Sequence, residues 1–253
     1  MQGFAVVYFA VHSMVRNPGA TIRLTVLPWA VGMAVAFALF RLMAGLELSA
    51  ALPERLATVA ALSGYLPALV VSLFVFCMIG AWVAMSWHRH ILLKEGAVAV
   101  LPKQNSEAFD SYFDAVMKFA LLAFVIFLMI RFLLVPLVPA LGLGGPGGKL
   151  VSIAVNALLV SIVLRHGLVL PGAAIGRPIS MDESWRATSG YSGPIYAVAL
   201  GVTLVLDLAA TLPTDNLAAV ALQITALWAC LILSVGVLTV LYGVRVQGRR
   251  MIF

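Results

Sequence analysis

The chain reads as an all-α polytopic membrane protein on three grounds: its composition is too apolar for water, it divides into six apolar stretches of span length, and its positive charge gathers on one side of them. Hydrophobic residues make up 63% of the chain and charged residues only 10%, where soluble domains carry roughly a quarter charged. Mean hydropathy is +1.08. A hydrocarbon core about 30 Å thick takes roughly 20 apolar residues per helix, and such stretches lie near residues 24–44, 64–87, 117–140, 148–165, 192–213 and 217–243. They are apolar on every face, whereas barrel strands run about ten residues with alternating polarity. Residues 1–253 therefore form a single transmembrane domain of six helices.

The first segment, residues 1–16, is apolar but short, without the basic region of a signal peptide. Phe4, Tyr8, Phe9 and Val11 stand against Gln2, His12, Ser13 and Arg16, which predicts an amphipathic interfacial helix on the cytoplasmic side. Orientation follows from charge, because Lys/Arg-rich loops stay in the cytoplasm. With both termini inside, Arg16, Arg23, Arg89, Lys94, Lys103, Lys118, Arg165, Arg177, Arg186, Arg245, Arg249 and Arg250 share that side, and Arg41, Arg55 and Lys149 fall on the other. The formal charge of +6 is thus a matter of topology and anionic lipid head groups, with no need of nucleic acid. Pro28, Pro67, Pro136, Pro139 and Pro194 lie within or at the ends of spans, where a missing N–H kinks a helix. GLGGPGG at 142–148 reads as an outer turn.

Residues 89–107 and 165–183 echo one another at an offset of 76. The matched pairs are Arg89/Arg165, His90/His166, Leu92/Leu168, Gly96/Gly172, Ala97/Ala173, Pro102/Pro178 and Glu107/Glu183. A fixed-period echo signals an internal repeat, here three parallel two-helix units, each opening with an amphipathic segment. In the third unit Ser180 and Glu183 have capping-box spacing.

The same offset sets Arg131 in span three opposite Asp207 in span five, with Arg41 at similar depth in span one. A charge at the bilayer centre costs roughly 2.5–3.5 kcal/mol on insertion scales, so this cluster has a reason to exist. Two readings stand side by side. Arg41, Arg131 and Asp207 line a polar cavity for an anionic head group, or Asp207 staples one Arg inside the bundle while the other snorkels outward. At the inner ends, Arg89, His90, Lys94, Arg165, His166, Arg177, Trp185 and Arg186 form a basic and aromatic collar suited to lipid phosphates, or a plain surface anchor. His90 and His166 are repeat equivalents, but His88 and His90 at i, i+2 face different ways, and no metal site is expected. Asn156, Gln223 and Thr225 read as interhelical packing. Cys77 and Cys230 sit mid-span outside any CxxC pattern and read as small packing residues.

No HExxH, Walker, GxSxG or dinucleotide GxGxxG motif occurs, which weighs against an enzyme and against a resident cofactor. The segment RHGLVLPGAAIGRPISMDESWRATSG, residues 165–190, resembles one that recurs in uncharacterised six-helix bacterial membrane proteins, similar in style to the membrane domain fused to glycerophosphodiester phosphodiesterases. The shared elements are the basic end of span four, a Leu/Val-Pro-Ala-like stretch, Gly-Arg-Pro, and a following amphipathic helix with Trp185 and Arg186. The resemblance implies the bacterial cytoplasmic membrane and a link to lipid or envelope homeostasis, and it transfers no catalytic residue. Membrane lipids are the expected partners. The leading expectation is a non-enzymatic protein that binds or moves a lipid or small amphiphile. The alternative is an accessory or assembly subunit of a larger complex, or of a homo-oligomer, docking through small residues such as Gly32, Ala34, Ala36 and Ala38 of span one.

Overall fold

The structure, a computed structural model, describes residues 2–45, 59–95, 106–133, 142, 145–213 and 217–249, and every regular element among them is helical. Arg55, Gly96, Ala97, Pro102, Lys103, Pro136, Pro139 and Arg250 lie outside the described residues, as do residues 143 and 144 and the side chain of Arg131; 145–148, expected in the outer turn, instead open a helix.

The chain starts with α1 (Gln2–Arg16), turns through α2 (Pro18–Thr21) and a π turn over Ile22–Val26, and enters α3 (Leu27–Met43). The π turn runs into Pro28, the second residue of α3, whose missing N–H removes one rung of the ladder. Then follow α4 (Val59–Leu93), α5 (Ser106–Leu133), α6 (Gly145–His166), the six-residue α7 (Val169–Ala174), α8 (Met181–Ala187), a 3₁₀ turn over Ser189–Tyr191, α9 (Ser192–Ala210) and α10 (Leu217–Arg245). Six segments are long and apolar enough to cross a membrane: Pro18–Met43, Tyr65–Leu93, Phe109–Ile130, Gly145–Ala174, Ser189–Ala210 and Ala218–Arg245.

That number agrees with the apolar stretches, but the helices overrun them. Hydropathy marks hydrocarbon, and a helix does not stop where hydrocarbon stops. At about 1.5 Å per residue, the 35 residues of α4 exceed what a bilayer core takes. Span one likewise begins at Pro18 rather than near residue 24, and span four continues into α7.

Packing divides into two cores. One gathers Val6 and Ala10 of α1, Leu164 of α6, Ile195 and Val202 of α9, and Leu238 and Leu241 of α10. Burying these apolar faces against one another is what turns separate spans into a bundle. The N-terminal helix therefore presses one face on protein: Val6 and Ala10 are buried while Tyr8, Val11, His12, Val15 and Arg16 are exposed. Glycine at 236 permits that approach, since a Cβ there would lie 2.7 Å from Met14 Cε and 3.2 Å from Ala10 Cβ. The second core surrounds α7, all of whose residues are buried, against Ala84 and Trp87 of α4, Tyr112 of α5 and Ile232 and Val235 of α10. Spans one and two pack closely as α3 on α4, and the most extensive pairing joins spans four and five, α6 on α9.

Candidate functional site

At one end of the bundle, the carboxylate of Asp207 meets Lys149, Oδ2 to Nζ 3.3 Å. The sequence had set an arginine opposite this carboxylate. The lysine reaches it because α6 begins at Gly145, one turn before Lys149, while Asp207 stands three residues before the end of α9 at Ala210. Antiparallel packing of those two helices brings them to one height. Both partners are partly exposed, so the pair is worth at most about 1 kcal/mol outside hydrocarbon. Gln223 of α10 adds a second tie at this end, its Nε2 donating to Ala209 O and Leu212 O at 3.1 Å each. These carbonyls lie in the last turn of α9 and just past its end, where the helix ladder runs out. Arg41 does not snorkel outward: it is 1% exposed, with its guanidinium carbon 5.4 Å from the centroid of Phe37. Arg131 lies two residues before the end of α5 at Leu133.

The other end is basic, and hydrogen bonds rather than helix directions define it. Arg89 donates from Nη1 to Ala174 O at the C-terminus of α7, 3.0 Å, and pairs with Glu95 through Nε at 2.9 Å. Arg165 donates from Nη2 to Trp185 O in the last turn of α8, 3.3 Å, and its guanidinium stacks 3.4 Å above the centroid of the Trp185 ring. Arg245 reaches Ala187 O, 3.0 Å, and Arg249 reaches Leu92 O at the end of α4. The last carbonyls of α4, α7 and α8 are thus each satisfied by an arginine, which also complements the negative end of the helix dipole. Sequence reading had used Arg245 and Arg249 for topology alone.

Not every collar residue is engaged in this way. Lys94, Arg177 and Arg186 are exposed and form no salt bridge within 4 Å among the described residues. Lys94 stands in left-handed backbone, φ +56°, just past the end of α4, a position that suits glycine. Arg177 is held on the turn after α7, where Tyr242 donates to its carbonyl, 2.9 Å. That turn needs glycine at 172, since a Cβ would lie 2.8 Å from Arg177 O and 3.1 Å from the Tyr242 ring. Arg186 lies on α8, its Nε donating back to Asp182 O at 3.4 Å. The expected capping box opens this helix: Ser180 Oγ accepts from Glu183 N–H, 3.2 Å, and Glu183 Oε2 accepts from Ser180 N–H, 2.7 Å. The Ser180 backbone bond, then its side-chain bond, hold the Glu183 carboxyl below its ordinary value.

His90 Nδ1 lies 2.7 Å from Glu95 O, and His166 Nδ1 lies 2.9 Å from Ile162 O, so each equivalent histidine turns to its own local carbonyl. Among the described residues no three His, Cys, Asp or Glu side chains gather as a metal site would require. Cys77 and Cys230 are both free thiols. Sequence reading weighed His88 only against His90; on α4 it is fully buried, with Nδ1 2.8 Å from Thr239 Oγ1 of α10. Its only sequence signal was the i, i+2 spacing that turns it away from His90.

Six membrane-length helices define a polytopic helical membrane protein. No protein-family model matches the chain, and neither a curated protein nor a solved structure is significantly similar to it.

Proposed function

We propose that the chain is a non-enzymatic membrane protein that binds or moves a lipid or small amphiphile, taking an anionic head group at its basic end. One observation carries this reading. The basic end separates arginines committed to carbonyls of other elements, one of them stacked on Trp185, from Lys94 and Arg177, which stand exposed, and from exposed Arg186, whose Nε stays on Asp182 O of its own helix at 3.4 Å. Arginine on an aromatic face offers a flat, weakly hydrated cation, and neighbouring exposed cations complete a phosphate-sized receptor. Positive charge on this scale faces the cytoplasm, which sets both termini inside. The echo at offset 76 and the matching positions of Arg131 and Asp207 near the ends of α5 and α9 support three parallel hairpin repeats. The resemblance at residues 165–190 directs the reading to envelope homeostasis in a bacterial inner membrane.

Juxtamembrane cations contribute about 1 kcal/mol each toward anionic lipid. Replacing Lys94, Arg177 and Arg186 together by Gln should therefore weaken anionic-lipid retention by roughly a hundredfold, with zwitterionic lipid little changed. Native mass spectrometry from mixed-lipid nanodiscs reads both. Equal retention by the variant and the parent protein would remove the proposal.

A second reading, an accessory subunit of a larger complex, is favoured by α5. None of the 18-residue window in Phe109–Ile130 is buried, against 44% in Ala218–Arg245. A span so little covered by its own bundle is open to a neighbouring protein. The stripe in span one does not serve that purpose as a unit, because Gly32 and Ala36 are buried while Ala34 and Ala38 face outward.

A further inference from the structure

We propose that His88 and Tyr112 form, where α4, α5 and α10 meet, a buried binding site for one water-sized hydroxylic molecule, with His88 held as the Nδ1–H tautomer. Thr239 fixes the direction of the bond to His88. Its hydroxyl lies 2.6 Å from Val235 O, the back-bond of a helical threonine. A hydroxyl has one hydrogen, and this bond uses it. His88 Nδ1, 2.8 Å from the same oxygen, must then be the donor, because Oγ1 has only lone pairs left to offer. The tautomer follows: Nδ1 carries the proton and Nε2 is a lone pair that accepts.

His88 is 0% exposed, and among the described residues Nε2 meets no hydrogen-bonding group. Tyr112 enters from α5, 1% exposed, its ring edge-on to the imidazole with centroids 6.4 Å apart. Its hydroxyl also has no hydrogen-bond partner among the described residues. Two rings in edge contact, one carrying an acceptor and the other a donor, are thus set within a core that includes Ala84, Leu170, Ala173 and Val235. Each unsatisfied buried group costs about 1–3 kcal/mol. One molecule that donates to Nε2 and accepts from the Tyr112 hydroxyl satisfies both, which is how buried water is normally held. The chain of donors ends at a backbone carbonyl, which has no proton to pass on. The site therefore holds a molecule and does not conduct protons. It also ties α5, the least buried span, to α4 and α10.

Solid-state NMR of histidine-¹⁵N protein in lipid bilayers tests this directly. The expected spectrum has His88 protonated at Nδ1 and a hydrogen-bonded, unprotonated Nε2 that correlates with water. In Tyr112→Phe the Nε2 resonance shifts, Thr239→Ser retains the parent spectrum, and Thr239→Val releases the tautomer. A proton on Nε2 in the parent protein overturns the proposal. So does an Nε2 resonance indifferent to Tyr112→Phe. An Nε2 that responds to Tyr112 but shows no water contact means a direct Tyr112–His88 bond and also overturns the ligand site. The parent spectrum alone decides tautomer and water contact, so the outcome does not depend on any variant folding.

Discussion

An arginine at the end of a membrane helix has two uses, and sequence displays the charge without saying which use is made. Arg89 and Arg249 close carbonyls 85 and 157 residues away in the chain, contacts that no local pattern announces. The capping box of α8 was legible for the opposite reason. Its two partners are three residues apart, and their chemistry requires nothing beyond that spacing. This box also titrates. Glu183 has a folded-state value below its unfolded one, so the support it gives α8 is present above the ordinary glutamate range, near about 4.3, and is lost as pH falls through its own lowered value. Amide exchange across residues 181–187 should accelerate in that acid window. Glu183→Gln, which can still accept from Ser180, should flatten the pH dependence. If the glutamine variant and the parent protein accelerate alike, another group is responsible.

Helix existence was readable and helix partnership was not, because apolar spans carry no facing information when every side is hydrophobic. Span one shows the difference. Small residues at 32, 34, 36 and 38 look like a single stripe, yet a helix sends i and i+2 to different faces and i and i+4 to one. Gly32 and Ala36 accordingly turn inward. A Cβ at position 32 would lie 2.5 Å from Ile79 Cγ2 and 2.8 Å from Cγ1, atoms fixed to a branched, stiff side chain. Gly32→Ala should therefore destabilise by about 1–3 kcal/mol through overpacking, although alanine is the better helix former. Ile79→Ala leaves a gap of its own, but in the double variant the new methyl partly fills that gap. Thermal unfolding in detergent should show the double variant more stable than the sum of the two single losses. Strict additivity would mean that α3 and α4 do not touch there.

Across the bundle, burial is uneven, and the unevenness separates the two functional readings. Spans four and six contribute most of the protected surface, whereas α5 is held chiefly through α7 and α6 and leaves Leu121, Phe124 and Phe132 exposed at 64%, 56% and 75%. Hydropathy ranked all six spans alike, since lipid and protein are equally good at covering leucine. Helix association in a membrane is driven by close packing and polar contacts, so a span deficient in both is either bathed in lipid or completed by another chain. A photocrosslinking residue at Leu121 or Phe124 in native membranes tells these apart, with Leu222 of α10, 55% exposed, as a lipid-facing control. The accessory-subunit reading expects one discrete protein adduct from positions 121 and 124 and none from 222. Adducts to lipid alone from all three positions would end that reading while leaving the head-group site at the basic end untouched, because Lys94, Arg177 and Arg186 lie on the loop and short helix beyond the spans and not on α5.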